Sequence, residues 1–361
     1  MPDSLDRRLI LKAGVGLAGV GVGLGVTASS LAADEKPSSS NWIAKPKQGF
    51  VPFVAPGLVT KAEAKGSYES VMQPNQLWPK EAVARSLVHR ALTDLTGAPN
   101  ATEAMKRFIH SSDTVAIKVN GIAGQTGYTV AVNFEVILPV VEAVLGAGVP
   151  AEKVTVYEQF PNFLEGTRVN VRTWKLPAGV QTGTHNNLDC KMPPVRIFER
   201  VPTRFCRFFT DATAVIDMTM MKDHSICGFT GALKNITHGN IDNPHKHHAH
   251  QASPQIALLY NHPIVQSRVR LHITDAFKII YDRGPLDKDP NTRVPHGAIY
   301  ASTDPVALDT VGTRVIEEER KSRGIQSLSE VGRPPRYIRR AAELGIGVHD
   351  WNDISLRAVT I

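Results

Sequence analysis

Cysteine is scarce. Cys190, Cys206 and Cys227 are the only three in 361 residues. They are widely spaced, odd in number and form no CxxC, so neither a disulfide framework nor an iron–sulfur cluster is expected. At most one disulfide could form, and buried free thiols are the expected fate. Familiar catalytic signatures are missing as well. There is no G-x-S-x-G elbow, no G-x-G-x-x-G following a strand and no HExxH, and the glycine spacing departs from a P-loop. Serine hydrolysis, nicotinamide chemistry and nucleotide hydrolysis therefore lack support. Excess charge is slight: 41 Lys+Arg against 34 Asp+Glu give +7, and the bases are spread out. The densest patch, "RYIRRAAELG", reads as a solvated helix face, so no nucleic-acid partner is expected. Beyond the N-terminus no apolar run is long enough to span a bilayer.

The N-terminus itself has a definite layout. Arg7 and Arg8 precede a weakly hydrophobic stretch rich in Gly, Ala and Val, which ends in small residues around Ser30-Leu31-Ala32. A charged start, an apolar middle and a small-residue cleavage site make an export signal. Paired arginines before a moderately apolar, glycine-rich core match the twin-arginine (Tat) type. Residues 1–32 are thus read as a Tat signal, which implies the Tat translocon as a partner, a periplasmic or otherwise exported protein, and no stable membrane span after cleavage. A retained anchor is the alternative, disfavoured by the glycines. Tat substrates cross already folded, often because a cofactor is inserted first, which is one pointer to a metal.

Residues 33–79, rich in Pro, Ser, Lys and Gly, predict an extended arm with little regular structure. Residues 80–361 predict an α/β domain. "PKEAVARSLVHRALTDLTG" has helical periodicity and stops at Gly97, and "ATEAMKRFI" is a short helix. "DTVAIKVNG" is a buried-type strand, "NFEVILPVVEAVLGAG" an amphipathic helix and "KVTVYEQ" the next strand. That is a βαβ unit and hence a partly parallel sheet. Pro161 to Arg204 is irregular, with "GVQTGTHNNLDCKMPP" reading as loop. Further strands are expected in "TAVIDMTMMKDH", in "RVRLHITDAF" ending at Asp275, and in "GAIYAS". Thr303 or Asp304 caps the helix that begins at Pro305. The fold class is therefore α/β: a partly parallel central sheet flanked by helices, with long irregular loops and an extended N-terminal arm.

Three segments in order, "VAIKVNG" with "VEAVLGAG…KVTVYE", "GALKN", and "LHITDAF…GP…GAIYASTDPVALD", resemble the domain-of-unknown-function 362 family over about 113–312. The family shows a strand-borne Ile-Lys-x-Asn, a Leu-Lys-Asn after a glycine-rich turn and a terminal Ser-x-Asp-Pro-Val-Ala-x-Asp. Many relatives carry ferredoxin-type cysteines and this chain has none, so the resemblance implies a fold and a site location, not electron transfer.

In "KDHSICGFTGALKN", Gly228 and Gly231 flank a turn from a strand into a helix start, whose free N–H groups suit an anion. Lys222 and Lys234 add charge and Thr230 a hydroxyl. Asn235 closes the stretch, and Lys118 and Asn120 end an earlier strand that faces the same crevice. A carboxylate or phosphate cradle is the functional expectation, a structural turn with surface lysines the alternative. Catalytic roles fall to Lys118, Lys234 and His224.

Five histidines lie between Gly231 and Pro254. His238, His245, His247, His248 and His250, with Asp275 at a strand end, are the candidate metal ligands, since neutral imidazole binds iron, copper and zinc. Two histidines with Asp275 would suit non-haem iron, and three histidines copper or zinc. An exposed loop without a role is the bland alternative. His185 is a further candidate ligand, and Glu158 and Glu165 are indistinguishable from surface carboxylates. Asp304 and Asp309 are expected to cap and brace their helix. Three functional readings follow. The first is an exported enzyme that uses a transition metal ion on a small anionic substrate, with redox chemistry preferred. The second is a periplasmic metal or ligand carrier without turnover. The third is a metal-independent acid–base enzyme using lysine and histidine.

Overall fold

Aliphatic residues on both faces of short strands place the sheet at the centre of the chain. The structure is a computed structural model describing residues 42–122, 124 and 127–361. The signal-type segment and residues 33–41 lie outside the described residues. The strands are β1 (Leu58–Glu63), β2 (Val115–Lys118), β3 (Val154–Glu158), β4 (Gln181–Thr184), β5 (Val195–Arg196), β6 (Pro202–Thr203), β7 (Ala214–His224), β8 (Gly228–Thr230), β9 (Val269–Ile280), β10 (Arg293–Ser302) and β11 (Ser355–Thr360). The main sheet runs β11-β1-β10-β9-β7-β2-β3-β4, with β8 folded back on β7, while β5 and β6 pair separately. From β4 through β9 the strands are parallel. β10 is antiparallel to β9 and to β1, and β11 runs parallel to β1.

Residues alternate between two core layers. Val115 and Ile117 of β2, Ile216 and Met218 of β7, and Leu271 and Ile273 of β9 face one layer. That layer is closed by the Glu81–Thr96 and Phe134–Gly146 helices. Ala84, Leu87, Val88, Ala91, Leu92 and Leu95 recur at helical spacing on the first of these and are all buried. Each large aliphatic chain removed from water there contributes about 1.5–3 kcal/mol. Gly97 ends that helix in the left-handed region at φ 71°, its N–H donating to Thr93 O. The opposite layer takes Ala116, Val215 and Ala276, under the Ala232–His238, Ser253–Asn261, Pro305–Ser322 and Arg336–Glu343 helices. The architecture is thus the expected α/β type. Asp304 caps the Pro305–Ser322 helix through Val306 N and Ala307 N at 2.9 Å, and its other oxygen accepts from Gly57 N and Val348 N.

Three local expectations change, and one further strand appears. "GVQTGTHNN" is not all loop, because Gln181–Thr184 forms the edge strand β4; an edge packs little side-chain surface, so it carries no apolar alternation. β9 runs five residues past Asp275, to Ile280. Within the arm, Leu58–Glu63 joins the sheet between β10 and β11. β11, largely exposed, also lacks alternation and is not legible as a strand. Among the described residues no helix is long and apolar enough to cross a membrane.

Candidate functional site

Register alone brings a polar row together. Lys118 on β2 pairs with Tyr157 on β3 and Asp217 on β7, and Asp217 pairs with His272 on β9. This lies near the carboxyl ends of β2 and β3. The chain first passes from β2 to β3 and later returns through β7 on the other side, which is the switch point where open α/β sheets hold ligands.

The floor of the site is a satisfied network. Lys118, 1% exposed, donates to Val119 O at 2.7 Å and lies 3.2 Å from Glu158 Oε1, an ion pair that burial requires. Glu158 also accepts from Gly121 N at 3.0 Å. Asn235 Oδ1 accepts from Asn120 Nδ2 at 3.1 Å, and Asn235 Nδ2 donates to Asp217 Oδ1 at 2.6 Å. Lys222 donates to Asn120 Oδ1 and Ile122 O at 2.7 and 2.6 Å. Burial pushes its ammonium down to about 7, against the pull of Glu158. Asp217 also receives His272 Nδ1 at 2.8 Å, and His272 Nε2 meets Tyr260 OH at 2.9 Å.

Above this floor is a cavity of 350 Å³. Lys234, Thr230, His224, His238, His245 and His248 line it, as do Phe160 and Phe163. Lys234 is half-buried and has no hydrogen-bonded or ion-paired partner among the described residues. Burial, with Lys118 nearby, lowers its pKa. Thr230 Oγ1 is buried and likewise unpartnered.

The histidine tautomers follow from their neighbours. His224 Nδ1 accepts from Ile226 N at 3.1 Å and Cys227 N at 3.4 Å, so the ring proton sits on Nε2. His248 Nδ1 faces Pro244 O at 2.8 Å, which only accepts; Nδ1 therefore carries the proton and Nε2 keeps a free lone pair. His238 Nε2 donates to His247 O at 3.0 Å. The rings gather: His248 stacks on His224 at 5.7 Å and meets His238 edge-on at 4.7 Å. Burial is the first cause that keeps all three neutral and the Lys234 charge the second, with His248 brought down to about 4.

Other candidates lie elsewhere. Asp275 has the opposite side-chain parity from His272 on β9, so it faces the other layer. There it accepts from Asn133 N at 2.7 Å and Phe277 N at 3.1 Å. It cannot join a histidine triad. His247 is buried against Thr203 Oγ1 at 2.8 Å, outside the cavity. His250 is exposed, its ring 6.1 Å from Phe198, because the tract is a 3-10 turn broken at Ala249–Gln251 and not an extended strand. His185 spends Nε2 on Gly239 O and Nδ1 on Asn187 N. Only His245, exposed at the rim, and the His238–His248 pair reach the cavity from the proposed ligand set. Among the described residues no group of three His, Cys, Asp or Glu is poised around a metal position.

The expected helix-terminal anion cradle is filled by the chain itself. Ala232 N and Leu233 N donate to the Asp309 carboxylate at 2.6 and 3.1 Å. Gly231 is required because a Cβ there would lie 2.1 Å from Asp309 Oδ1; at Gly228, φ 80°, it would lie 2.0 Å from Arg333 O. The glycines serve packing. Sequence reasoning missed Phe160, Phe163 and the Asp217–His272 pair, and could not separate Glu158 from surface carboxylates. A signal existed for Glu158: it ends β3 as Lys118 ends β2, and adjacent parallel strands bring such ends together. The three cysteines are free thiols, two of them buried.

A family model described as "Domain of unknown function (DUF362)" matches residues 115–314. The chain belongs to that family. The matched span of this DUF362 chain holds every residue of the cavity described above. No curated protein matches the chain. Seven solved chains do. One is the lactate racemase apoprotein from Thermoanaerobacterium thermosaccharolyticum, 9% identical with a TM-score of 0.38, covering 73% of this chain and 57% of that one. Another is a Thermotoga maritima protein, 11% identical with a TM-score of 0.37, covering 73% and 59%. The DUF362 chain thus spans under two thirds of either. Likenesses this distant say nothing about chemistry.

Proposed function

We propose that this DUF362 protein is an enzyme that binds a small anionic molecule in the cavity above Lys118 and moves a proton with a neutral imidazole. One observation carries the reading: the unpartnered Lys234 ammonium lies beside His248, whose Nε2 lone pair is open. An anion at Lys234 gains a charge-assisted contact. It also cancels the positive charge that helps to hold His248 near 4, so binding raises the basicity of the imidazole where the substrate sits. His248 Nε2 then takes a proton from the bound molecule, and the imidazolium keeps its Nδ1–H bond to Pro244 O. His224 Nε2–H faces the cavity as a neutral donor. The test is a histidine-resolved NMR titration with acetate added. The His248 titration should move up from about 4 with acetate, and should not move in Lys234→Met. A ring that titrates near its ordinary value and ignores acetate would remove the reading.

A transition metal ion is the second reading, favoured by the clustering of neutral rings around the open His248 Nε2. His238, His245 and His248 would be its ligands, and redox or Lewis-acid chemistry would follow from the ion. The hydrogen bond at His238 Nε2 would have to change for that nitrogen to ligate. Elemental analysis of protein purified without a histidine tag separates the two: near-stoichiometric metal, lost in His248→Ala but kept in His250→Ala, favours the ion. A carrier without turnover would bind acetate yet convert no substrate. For location, we propose Tat export on the strength of Arg7, Arg8 and the segment to Ala32. Replacing both arginines with lysine should keep a fused reporter in the cytoplasm.

A further inference from the structure

The donors of the cavity are more selective than a bare positive charge. Among the described residues, Lys234 Nζ and His224 Nε2–H have no protein acceptor, and Thr230, whose hydroxyl is buried and unpartnered, is also part of the lining. No arginine among the described residues lines the cavity. The backbone N–H groups that would recognise a phosphate at the start of the Ala232–His238 helix are closed off by Asp309. A phosphate monoester, nearly doubly charged with three terminal oxygens, is held by arginine forks or by a nest of N–H groups. One free ammonium with two neutral donors matches the single charge and two oxygens of a carboxylate. The lining also has an apolar part, next to the polar Gln159 and Asn187. Phe160 and Phe163 meet edge to face at 5.2 Å and 84°, both half-buried, with Ile122 and Pro285 beside them. A cavity of 350 Å³ has room for one ring and a carboxyl group.

We infer that the cavity takes a monocarboxylate carried on a flat apolar body, and not a phosphate ester, an inference that rests on reading this cavity as an anion site. The donors hold the carboxylate on the histidine side while the aromatic pair covers the body, leaving the bond between them next to His248 Nε2.

Calorimetric titration of the full chain, without a histidine tag, with benzoate, acetate, phenyl phosphate and inorganic phosphate tests this. Benzoate should bind about tenfold or more tightly than acetate, the expected gain from burying a ring against aromatic side chains. Neither phosphate should compete. Lys234→Met should weaken benzoate and acetate alike, by about tenfold or more for one lost charge-assisted bond. Phe163→Ala should bring benzoate down to the level of acetate. Phe163→Leu keeps the apolar volume without the flat face, and serves if the alanine variant does not fold. Equal affinity for benzoate and acetate overturns the apolar-body inference but leaves the anion site standing. Tighter binding of either phosphate overturns the carboxylate class, again leaving an anion site. No binding of any of the four overturns the inference together with the reading beneath it.

Discussion

Replacing Gly231 with alanine asks what the glycine-rich turn is for. The added methyl would lie 2.1 Å from Asp309 Oδ1 and 2.5 Å from Phe229 Cε1, so both must move. Overpacking of this kind costs about 1–3 kcal/mol. Displacing the carboxyl group also weakens its bonds to Ala232 N and Leu233 N, now 2.6 and 3.1 Å; burial raises the Asp309 pKa, so each bond is taken at the ordinary net value of about 0.5–1.5 kcal/mol. With partial relaxation a total near 4 kcal/mol is expected. At roughly 2 °C per kcal/mol for a chain of this size, Tm should fall by about 8 °C. Differential scanning calorimetry gives the shift, and a double-mutant cycle with Asp309→Ala gives its origin. Without the carboxylate only the Phe229 contact opposes the methyl, so the coupling between the two sites should exceed about 1 kcal/mol. A Gly231→Ala protein with unchanged Tm but lost acetate binding would refute the reasoning, because the glycine would then be making room for a ligand and not for Asp309.

Three further outcomes follow from the same geometry. The folded-state pKa of His248 lies below its unfolded value, so the unfolded chain binds more protons between them; the stability this ring contributes is full above about 6.5 and is lost as pH falls toward 4. Urea unfolding at pH 7 and pH 5 should differ by about 1–2 kcal/mol less in His248→Gln than in the parent, after discounting for solvent screening. Asp275→Asn should lower stability by about 2 kcal/mol, since an amide cannot serve Asn133 N, Asn133 Nδ2 and Phe277 N together, yet leave benzoate affinity unchanged; a change in affinity would contradict its placement on the far face. Thiol labelling of the native protein at pH 8 should modify Cys190 slowly and leave Cys206 and Cys227 untouched, because burial pushes their thiols to about 12 and 11, whereas all three should react in urea.

Most of the framework can be read without coordinates. Short aliphatic runs such as "VAIK" and "VTVYE" become β2 and β3 because strands buried on both faces must be apolar throughout. Gly97 and Asp304 mark helix ends because each meets a local backbone need. Those are properties of a few adjacent residues. Edge strands β4 and β11 leave no such trace, since they are mostly exposed and only a neighbouring strand makes them regular. The site divides the same way. Residue types alone nominate Lys118, Lys234 and a histidine cluster. Parity on β9 then sends Asp275 to the opposite face, a turn broken at Ala249–Gln251 turns His250 outward, and a carboxylate 77 residues away closes the helix terminus left open in the sequence. Composition and local pattern determine which groups exist and which strands carry them. Which of those groups are already spent on one another, and which still face a ligand, depends on contacts between distant segments, and only the tertiary structure supplies those.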